Sequence, residues 1–569
     1  MHYKNERMKI GVFIKERKLQ LIFLIYVLLL VPSVSLLAQN IPVKAMFQGV
    51  MASLGLLIVV FMLSSFMSTR TMRIFYSALL SFTLIPSAIL LGYLLFAEVL
   101  LSDTSMTTLF ETNPDESKEF MTHYMNPWII LGIALYILLP IIMLFRMKHI
   151  SFRRVGEHKK QFLVCMSLLL LCLAVEPVAQ RIYFVDFYRT YADYRLRTKA
   201  EEKAIAMRQQ EVFDVTLLEK QAPQTIVVVI GESLSRHHMS LYGYERNTNP
   251  LLSAKKASLK IYQDITSPQV HTVPALRSIL TFADHEHPEY LTERPSLFEL
   301  FNRGGYETFH ISNQPFENTD SSYEPFFKLA NHQFDLSKGN NPDGVLLNTL
   351  QEALKEKKRK LIVVHLMGSH TVYRLRYPQS FDHFDYQSHP VQSKLALSNE
   401  AQRIIDEYDN SVRYNDYLIA TIVGMLEEQK ESSAMVYFSD HGDEVYDYRD
   451  FAGHAYEKIS TYMCEVPYIV WVSDRFEQKR PDLLFRTDRP YSTTDLLYSL
   501  SDIGGLRYKG YDETRSIFSS RFTPRERKIG DLSYETVIEQ TEMGETQKPI
   551  EYWASSLKEK ISARFLFDR

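Results

Sequence analysis

Residues 225–233 read TIVVVIGES, a threonine and five apolar residues, mostly β-branched, closed by a glycine and followed by polar residues. A run this short, apolar on both faces, suits the centre of a sheet covered on both sides, and such sheets are mostly parallel. Three more runs share its character: 360–366 (KLIVVHL), 434–438 (AMVYF) and 468–472 (YIVWV). Helical patterns accompany them at 296–303, 344–358 and 400–428. Strands alternating with helices predict an α/β fold, a sandwich around a central, mostly parallel sheet. This domain is placed at 220–569, which is long enough to bury a sizeable core. The chain holds no internal repeat and no low-complexity tract. The stretch beyond about Arg525 is more polar and receives no assignment.

Ahead of this domain the chain changes character. Uncharged stretches cover 21–38, 45–69, 74–97, 124–145 and 161–175, the last continuing through the lone Glu176 to 180. A bilayer core of about 30 Å takes roughly 20 apolar residues in a helix. The first four stretches meet that length and the fifth is the shortest. The reading is a five-helix transmembrane domain at 1–180. Lys and Arg set its orientation. Lys4, Arg7, Lys9, Lys15, Arg17, Lys18, Arg70, Arg73, Arg146, Lys148, Arg153, Arg154, Lys159 and Lys160 flank one side, against Lys44 and Lys118 on the other. The second side also carries Asp103, Glu111, Asp115, Glu116 and Glu119. The N-terminus is therefore expected in the cytoplasm and the large domain outside it. A bridge at 181–219 opens with Tyr183, Phe184, Phe187, Tyr188, Tyr191 and Tyr194 at roughly helical spacing, then becomes charged. Such aromatics favour the headgroup zone, although an ordinary amphipathic connector has the same pattern.

Composition removes several classes. Lys and Arg total 64 against 67 Asp and Glu, a net charge of −3, so no basic excess is available to coat nucleic acid. Hydrophobic residues make up 46% and charged residues 23%, which excludes wholesale disorder. The three cysteines, Cys165, Cys172 and Cys464, exclude a disulfide framework and a Cys-rich zinc module.

In open α/β sheets, ligands bind beyond the carboxyl ends of the strands. TIVVVI is followed by Gly231, Glu232 and Ser233; KLIVVHL by Met367, Gly368, Ser369 and His370; AMVYF by Ser439, Asp440, His441 and Gly442. His454 lies shortly before YIVWV. Carboxylate oxygens and imidazole nitrogens are ligands for zinc or manganese, and Gly442 permits the sharp turn that adjacent ligands Asp440 and His441 need. Each group alone has a plainer reading, as a helix cap, a polar turn or a structural hydrogen-bonder; their joint placement points to a metal site. Hydroxyls near the strand ends are Ser233, Ser235, Thr266, Ser267 and Thr272. Thr272 precedes a helical pattern with Pro274 in its first turn, where an anion is stabilised and a hydroxyl on a metal becomes a nucleophile. A plain helix cap is the competing reading for Thr272.

Several blocks resemble membrane phosphoethanolamine transferases, whose catalytic fold is that of the alkaline phosphatase superfamily. They are IVVVIGESLSRHHMSLYGYERNTNP (226–250), GSHTVYRLRYP (368–378), YDNSVRYNDYLI (408–419), YFSDHGDE (437–444) and VPYIVW (466–471), in the family's order. The resemblance covers the whole chain, because that family also has five spans ahead of a periplasmic domain. QVHTVPALRSILTFADHEHPEYLTERPSL (269–297) is similar to the branch that decorates the lipopolysaccharide core heptose. It departs from the lipid A-modifying branch, which has a Cys-Gly-Thr block at the nucleophile and several periplasmic disulfides. Cys464 is the only cysteine after residue 180, so no disulfide can form within that domain.

The resemblance implies zinc as the metal, with Glu232, Asp440 and His441 as ligands and Thr272 as the nucleophile that also ligates it. His370 and His454 match histidines that contact phosphate or a second metal, and Asn313 resembles a donor-binding asparagine. The lysine expected shortly after Asn313 is not found at 315–320. The implied reaction takes phosphoethanolamine from phosphatidylethanolamine, releases diacylglycerol and delivers to lipopolysaccharide, at the bacterial inner membrane. Its competitors are a phosphoglycerol transferase or sulfatase-like hydrolase of the same superfamily, and a non-catalytic membrane receptor. A sulfatase block C/S-x-P-x-R would start at Thr272 but finds Leu276 where its arginine belongs.

Overall fold

A computed structural model describes residues 17–35, 43–97, 101, 106, 109–112, 118, 127–147, 157–316, 322, 324–339 and 341–546. Outside these lie Lys4, Arg7, Lys9, Lys15, Lys148, Arg153, Arg154, Asp103, Asp115, Glu116 and Glu119 of the orientation argument. So do residues 317–320, where a donor-binding lysine was sought, and the tail after 546. Contacts divide the chain into two units, 1–197 and 198–569.

The first unit is helical: α1 (Lys18–Val34), α2 (Val43–Ser64), α3 (Thr69–Ala97), α4 (Pro127–Arg146) and α5 (Lys159–Ala174), followed by α6 (Tyr183–Arg208), which runs into the second unit. Among the described residues, each of the five predicted apolar stretches holds a helix. α2, α3 and α4 are long and apolar enough to cross a membrane; α1 and α5, with 17 and 16 residues, fall short of that length. Phe23, Leu24, Val27, Leu57, Val60 and Tyr76 form a buried centre. Ile130, Leu131, Leu135, Leu138 and Phe145 of α4 point outward, as side chains do when the surrounding solvent is lipid.

The second unit is built on a seven-stranded sheet. Its strands are β1 (Thr225–Gly231), β2 (Leu259–Tyr262), β3 (Glu307–Ser312), β4 (His332–Asp335), β5 (Lys360–His365), β6 (Ser433–Ser439) and β7 (Tyr468–Val472). The spatial order is β2-β7-β6-β1-β5-β3-β4. All neighbours pair in parallel except β7, which is antiparallel to both β2 and β6. The sheet is thus mostly parallel, as predicted, and β1 is its centre. Alternation explains why. Ile226, Val228 and Ile230 enter one core while Val227 and Val229 enter the other, and β5, β6 and β7 divide in the same way. Helices cover both faces, including α7 (Thr272–Ile279), Leu297–Arg303, Val345–Leu354 and the 31-residue α8 (Asn399–Gln429). A one-turn helix, α9 (Thr461–Cys464), precedes β7, and α10 (Tyr534–Thr546) lies in the polar C-terminal stretch.

Register puts the chemistry at one edge. Ile230 pairs with His365, Gly231 with Ser439 and Ser312 with His365, so β1, β3, β5 and β6 end together. Because β7 runs the other way, it is the beginning of β7, near Glu465, that reaches this edge.

Candidate active site

Glu232 leaves β1 fully buried, and the next residue, Ser233, takes φ of 56° to turn the chain. A non-glycine residue rarely adopts that conformation, and here the turn is clamped by Tyr408 of α8. The Tyr408 hydroxyl donates to Ser233 O at 2.7 Å and accepts from Ser235 N at 2.8 Å. From the end of β6, Asp440 Oδ1 accepts from Ser233 N at 3.2 Å and from His441 N at 2.7 Å. Asp440 Oδ2 is buried and no donor faces it.

Thr272 is the first residue of α7, and His271 holds the cap position. Its hydroxyl does not cap the helix. It donates to Glu232 at 3.1 and 3.2 Å from the two carboxylate oxygens and lies 3.3 Å from His441 Nε2. His441 Nε2 stands 3.5 Å from Glu232 Oε1 and 3.7 Å from Asp440 Oδ2. On the far side of its ring, Nδ1 is 3.1 Å from Gly442 O. A proton on Nδ1 donated to that carbonyl leaves the Nε2 lone pair facing the cluster, the arrangement of a metal-ligating histidine. Glu232, Asp440 and His441 bring one ligand atom each within 4.8 Å of one another. An unpartnered buried carboxylate oxygen, a fixed imidazole, a second carboxylate and a hydroxyl form a donor set that fits zinc.

Electrostatics make the same demand. Burial alone would raise Glu232, but the hydrogen bond and charge of His441 hold it well below the usual carboxylate range. Burial and the Glu232 charge push Asp440 well above that range. Burial opposes a charged His441, yet Asp440 and Glu232 raise it to about 10. The cluster draws positive charge onto an imidazole, and a dication answers the same need.

A second group adjoins the first. His441, Asp443 and His454 also bring ligand atoms within 4.8 Å of one another. His454 Nδ1 is 2.7 Å from Asp443 Oδ1, and Tyr373 donates to Asp443 Oδ2 at 2.7 Å. His370 is on the loop after β5, with a buried Nδ1 that makes no hydrogen bond. Asn313 is engaged through its amide nitrogen. Its amide donates to Asn341 O and Asp343 Oδ1, both at 2.8 Å. Asp343 in turn accepts from Met367 N and Gly368 N, so Asn313 braces the His370 loop.

Two neighbours carry no sequence signature. Gln314 Nε2 donates to Glu232 Oε2 at 3.1 Å and to Leu366 O at 2.9 Å. His271 places its ring 4.7 Å from that of His454, with a buried, unpartnered Nε2. An amide donor to Glu232 or a histidine ring beside that of His454 becomes visible only once the loops meet.

Gly368 is required by both conformation and space. Its φ is +55°, and a Cβ there would stand 2.7 Å from Glu232 N and 2.8 Å from Glu232 O. Backbone cannot yield as a flexible side chain can. Gly368→Ala is expected to destabilise the domain by about 3 kcal/mol, combining left-handed strain with overpacking. It is also expected to reduce bound zinc, because the turn that moves carries Glu232. Urea unfolding and metal analysis of the purified protein check both; unchanged stability with full metal content contradicts this view of the turn.

Comparison with known proteins gives the family. The sulfatase family model matches residues 224–506. The chain is 28% identical over 463 residues to phosphoethanolamine transferase EptC of Escherichia coli O18:K1:H7 (strain RS218 / NMEC), covering 76% of this chain and 80% of that one. The crystal structure of the C-terminal periplasmic domain of EptC from Escherichia coli is 30% identical, with a TM-score of 0.56, covering 59% of this chain and 99% of that domain. The same domain has been solved as a complex with Zn. Full-length EptA of Neisseria meningitidis, an integral membrane protein, shares the fold at a TM-score of 0.61 and 18% identity, covering 88% of this chain and 98% of that one. With its strand-end cluster and these relatives together, the chain belongs to the phosphoethanolamine transferase family of the alkaline phosphatase and sulfatase superfamily.

Proposed function

We propose that this enzyme transfers phosphoethanolamine from phosphatidylethanolamine to a lipopolysaccharide acceptor, with core heptose preferred, through a covalent intermediate on Thr272. The observation that carries the reading is the Thr272 hydroxyl, held at the start of α7 and shared between Glu232 and His441 Nε2. Glu232, Asp440, His441 and Thr272 would hold Zn2+, which when bound lowers the pKa of the hydroxyl and offsets charge on phosphoryl oxygens. The Thr272 O–H donates to Glu232, so its proton has a carboxylate to move toward as Oγ attacks phosphorus. The phosphorus–oxygen bond to the glycerol breaks, and a proton from His370 or His454 passes to that oxygen, releasing diacylglycerol. The acceptor hydroxyl oxygen then attacks the same phosphorus from solvent, giving its proton to that histidine, while the phosphorus–oxygen bond to Thr272 breaks and Thr272 recovers its proton from Glu232. The amide hydrogens at the start of α7 stabilise the phosphoryl charge throughout.

Donor and acceptor are both membrane lipids, so tethering raises their effective concentration at the site. The reading places residues 1–180 in the bacterial inner membrane with a cytoplasmic N-terminus, 181–219 at the interface and 220–569 in the periplasm. The Lys and Arg bias supports that orientation, as do relatives whose corresponding domain is periplasmic.

The test incubates purified, zinc-loaded full-length protein with phosphatidylethanolamine. Intact-protein mass spectrometry is expected to show one phosphoethanolamine adduct, with diacylglycerol released. No adduct and no diacylglycerol would end this reading and promote a phosphoglycerol donor or simple hydrolysis.

A further inference from the structure

The reacting groups sit on three loops, and α9 with its follower Glu465 bonds to all three. Met463 O accepts from Gly442 N at 2.8 Å, beside His441. Cys464 O accepts from Ser267 N at 2.8 Å, on the loop that leads to Thr272. Glu465 O accepts from Arg236 N at 3.2 Å, in the turn after Glu232. The approach is close: a Cβ on Gly442 would stand 2.5 Å from Tyr462 O and 3.0 Å from Ser235 Cα.

A single turn of helix has little stability of its own. The C-terminal stretch supplies what α9 lacks. The Thr461 amide at its start donates to Thr541 Oγ1 of α10 at 3.1 Å, and that hydroxyl donates to Val537 O at 2.8 Å. The Tyr534 hydroxyl donates to the Glu465 carboxylate, which also accepts from Arg236 Nε at 2.7 Å. Ile529, Tyr534 and Val537 close a buried apolar cluster with Met463, Cys464 and Val270. Gly530 N donates to Pro268 O at 2.8 Å, a direct tie to the Thr272 loop.

We propose that residues 527–546 position the catalytic groups by holding α9, with Thr541 as the positioning residue. This rests on the reading of Thr272, Glu232 and His441 as the reacting set. One lost bond at the start of α9 frees the turn to rotate, and all three loops move with it. Displacements near 1 Å at reacting atoms lower rates by up to about 100-fold.

The experiment compares Thr541→Val and Thr541→Ser in zinc-loaded full-length protein. Valine keeps the shape and removes the acceptor; serine keeps the acceptor. Leu426→Ala, near the C-terminal end of α8, serves as a control that thins a different buried cluster and leaves the contacts of α9 in place. Three quantities are read: the rate at which a chelator strips zinc, kcat and KM with phosphatidylethanolamine, and Tm. In Thr541→Val, zinc loss is expected to quicken and kcat to fall, each by about tenfold, with KM within about twofold. Thr541→Ser is expected to restore both, and Leu426→Ala to lower Tm with kcat near wild type. The proposal is overturned if Thr541→Val matches wild type in zinc loss and kcat, or if Thr541→Ser is as impaired as Thr541→Val. It is equally overturned if kcat follows Tm across all three variants. Should the wild type transfer nothing from phosphatidylethanolamine, the proposed reaction fails, and the zinc-loss rates still judge the strap.

Discussion

Replacing Thr272 with alanine is expected to lower the transfer rate by roughly 10⁴-fold and to abolish the phosphoethanolamine adduct. The fold is expected to survive, because the Thr272 side chain makes no cap; His271 holds that position, and α7 buries Ala275, Leu276 and Ile279 unchanged. What disappears is, among the described residues, the one hydroxyl that meets Glu232 and His441 together. Of the neighbouring hydroxyls, Ser267 Oγ donates to Gln269 O, Ser233 Oγ donates to Glu232 Oε1 at 3.0 Å, and Thr266 Oγ1 is buried without a hydrogen-bond partner. Thr272→Ser keeps an oxygen at the same position and loses the methyl that restricts its rotamer. Its adduct is expected to form, with a rate within about tenfold of wild type. Mass spectrometry of the three proteins after phosphatidylethanolamine exposure decides the matter. An adduct on the alanine variant would move the nucleophile to Ser233, Thr266 or Ser267.

The second large effect is expected at Asp440. In Asp440→Asn, the oxygen that accepts from Ser233 N and His441 N is retained, while an NH2 replaces the unpartnered Oδ2. A donor there repels a cation. Zinc affinity is expected to fall by at least about 100-fold, with transfer activity falling alongside it. The zinc-free protein is expected to keep or raise its Tm, because an amide at this position carries no ionisable group for burial and the Glu232 charge to oppose. The sign with pH follows from the same groups. His441 is raised to about 10 and so holds a proton at neutral pH before metal binds, while burial and the Glu232 charge shift Asp440 upward as well. Zinc displaces the His441 proton, and wild-type affinity therefore rises as pH rises from acid toward about 10. Calorimetric titration in buffers of different ionisation enthalpy counts the protons. Zinc binding without proton release would remove His441 from the ligand set, and an Asp440→Asn protein that binds zinc as wild type does would remove Asp440.

The four strands found in the sequence, β1, β5, β6 and β7, are those buried on both faces, where burial leaves an uninterrupted apolar run. β3 escaped because Glu307, Thr308 and His310 break its pattern. His310 is nevertheless fully buried, its ring 4.1 Å from that of Phe327 and its nitrogens without partners. β4 is an edge strand with three exposed residues, so its sequence reads as loop. The reversal of β7 has no local cause in YIVWV, because direction in a sheet is set by connections. In the site, Glu232, Asp440 and His441 were legible as strand-end residues, and where the Thr272 hydroxyl points, toward Glu232 and His441 with no cap bond, was not. The bracing role of Asn313 and the contact of Gln314 with Glu232 depend on loops about 30 to 80 residues apart in the chain, and local patterns carry no trace of such meetings.

The central place of β1 has a consequence in time. Its neighbours in the sheet are β5 and β6, and the Ser233 amide waits for a carboxylate 207 residues further on. At about 5–20 residues per second of synthesis, that interval is roughly 10–40 s. Throughout it, Glu232 lacks the Asp440 that comes to lie beside it, and Thr272 lacks the His441 imidazole. A nascent chain therefore carries Thr272 without the groups that surround it in the folded domain. The enzyme acquires its chemistry late, when most of its length has already been made.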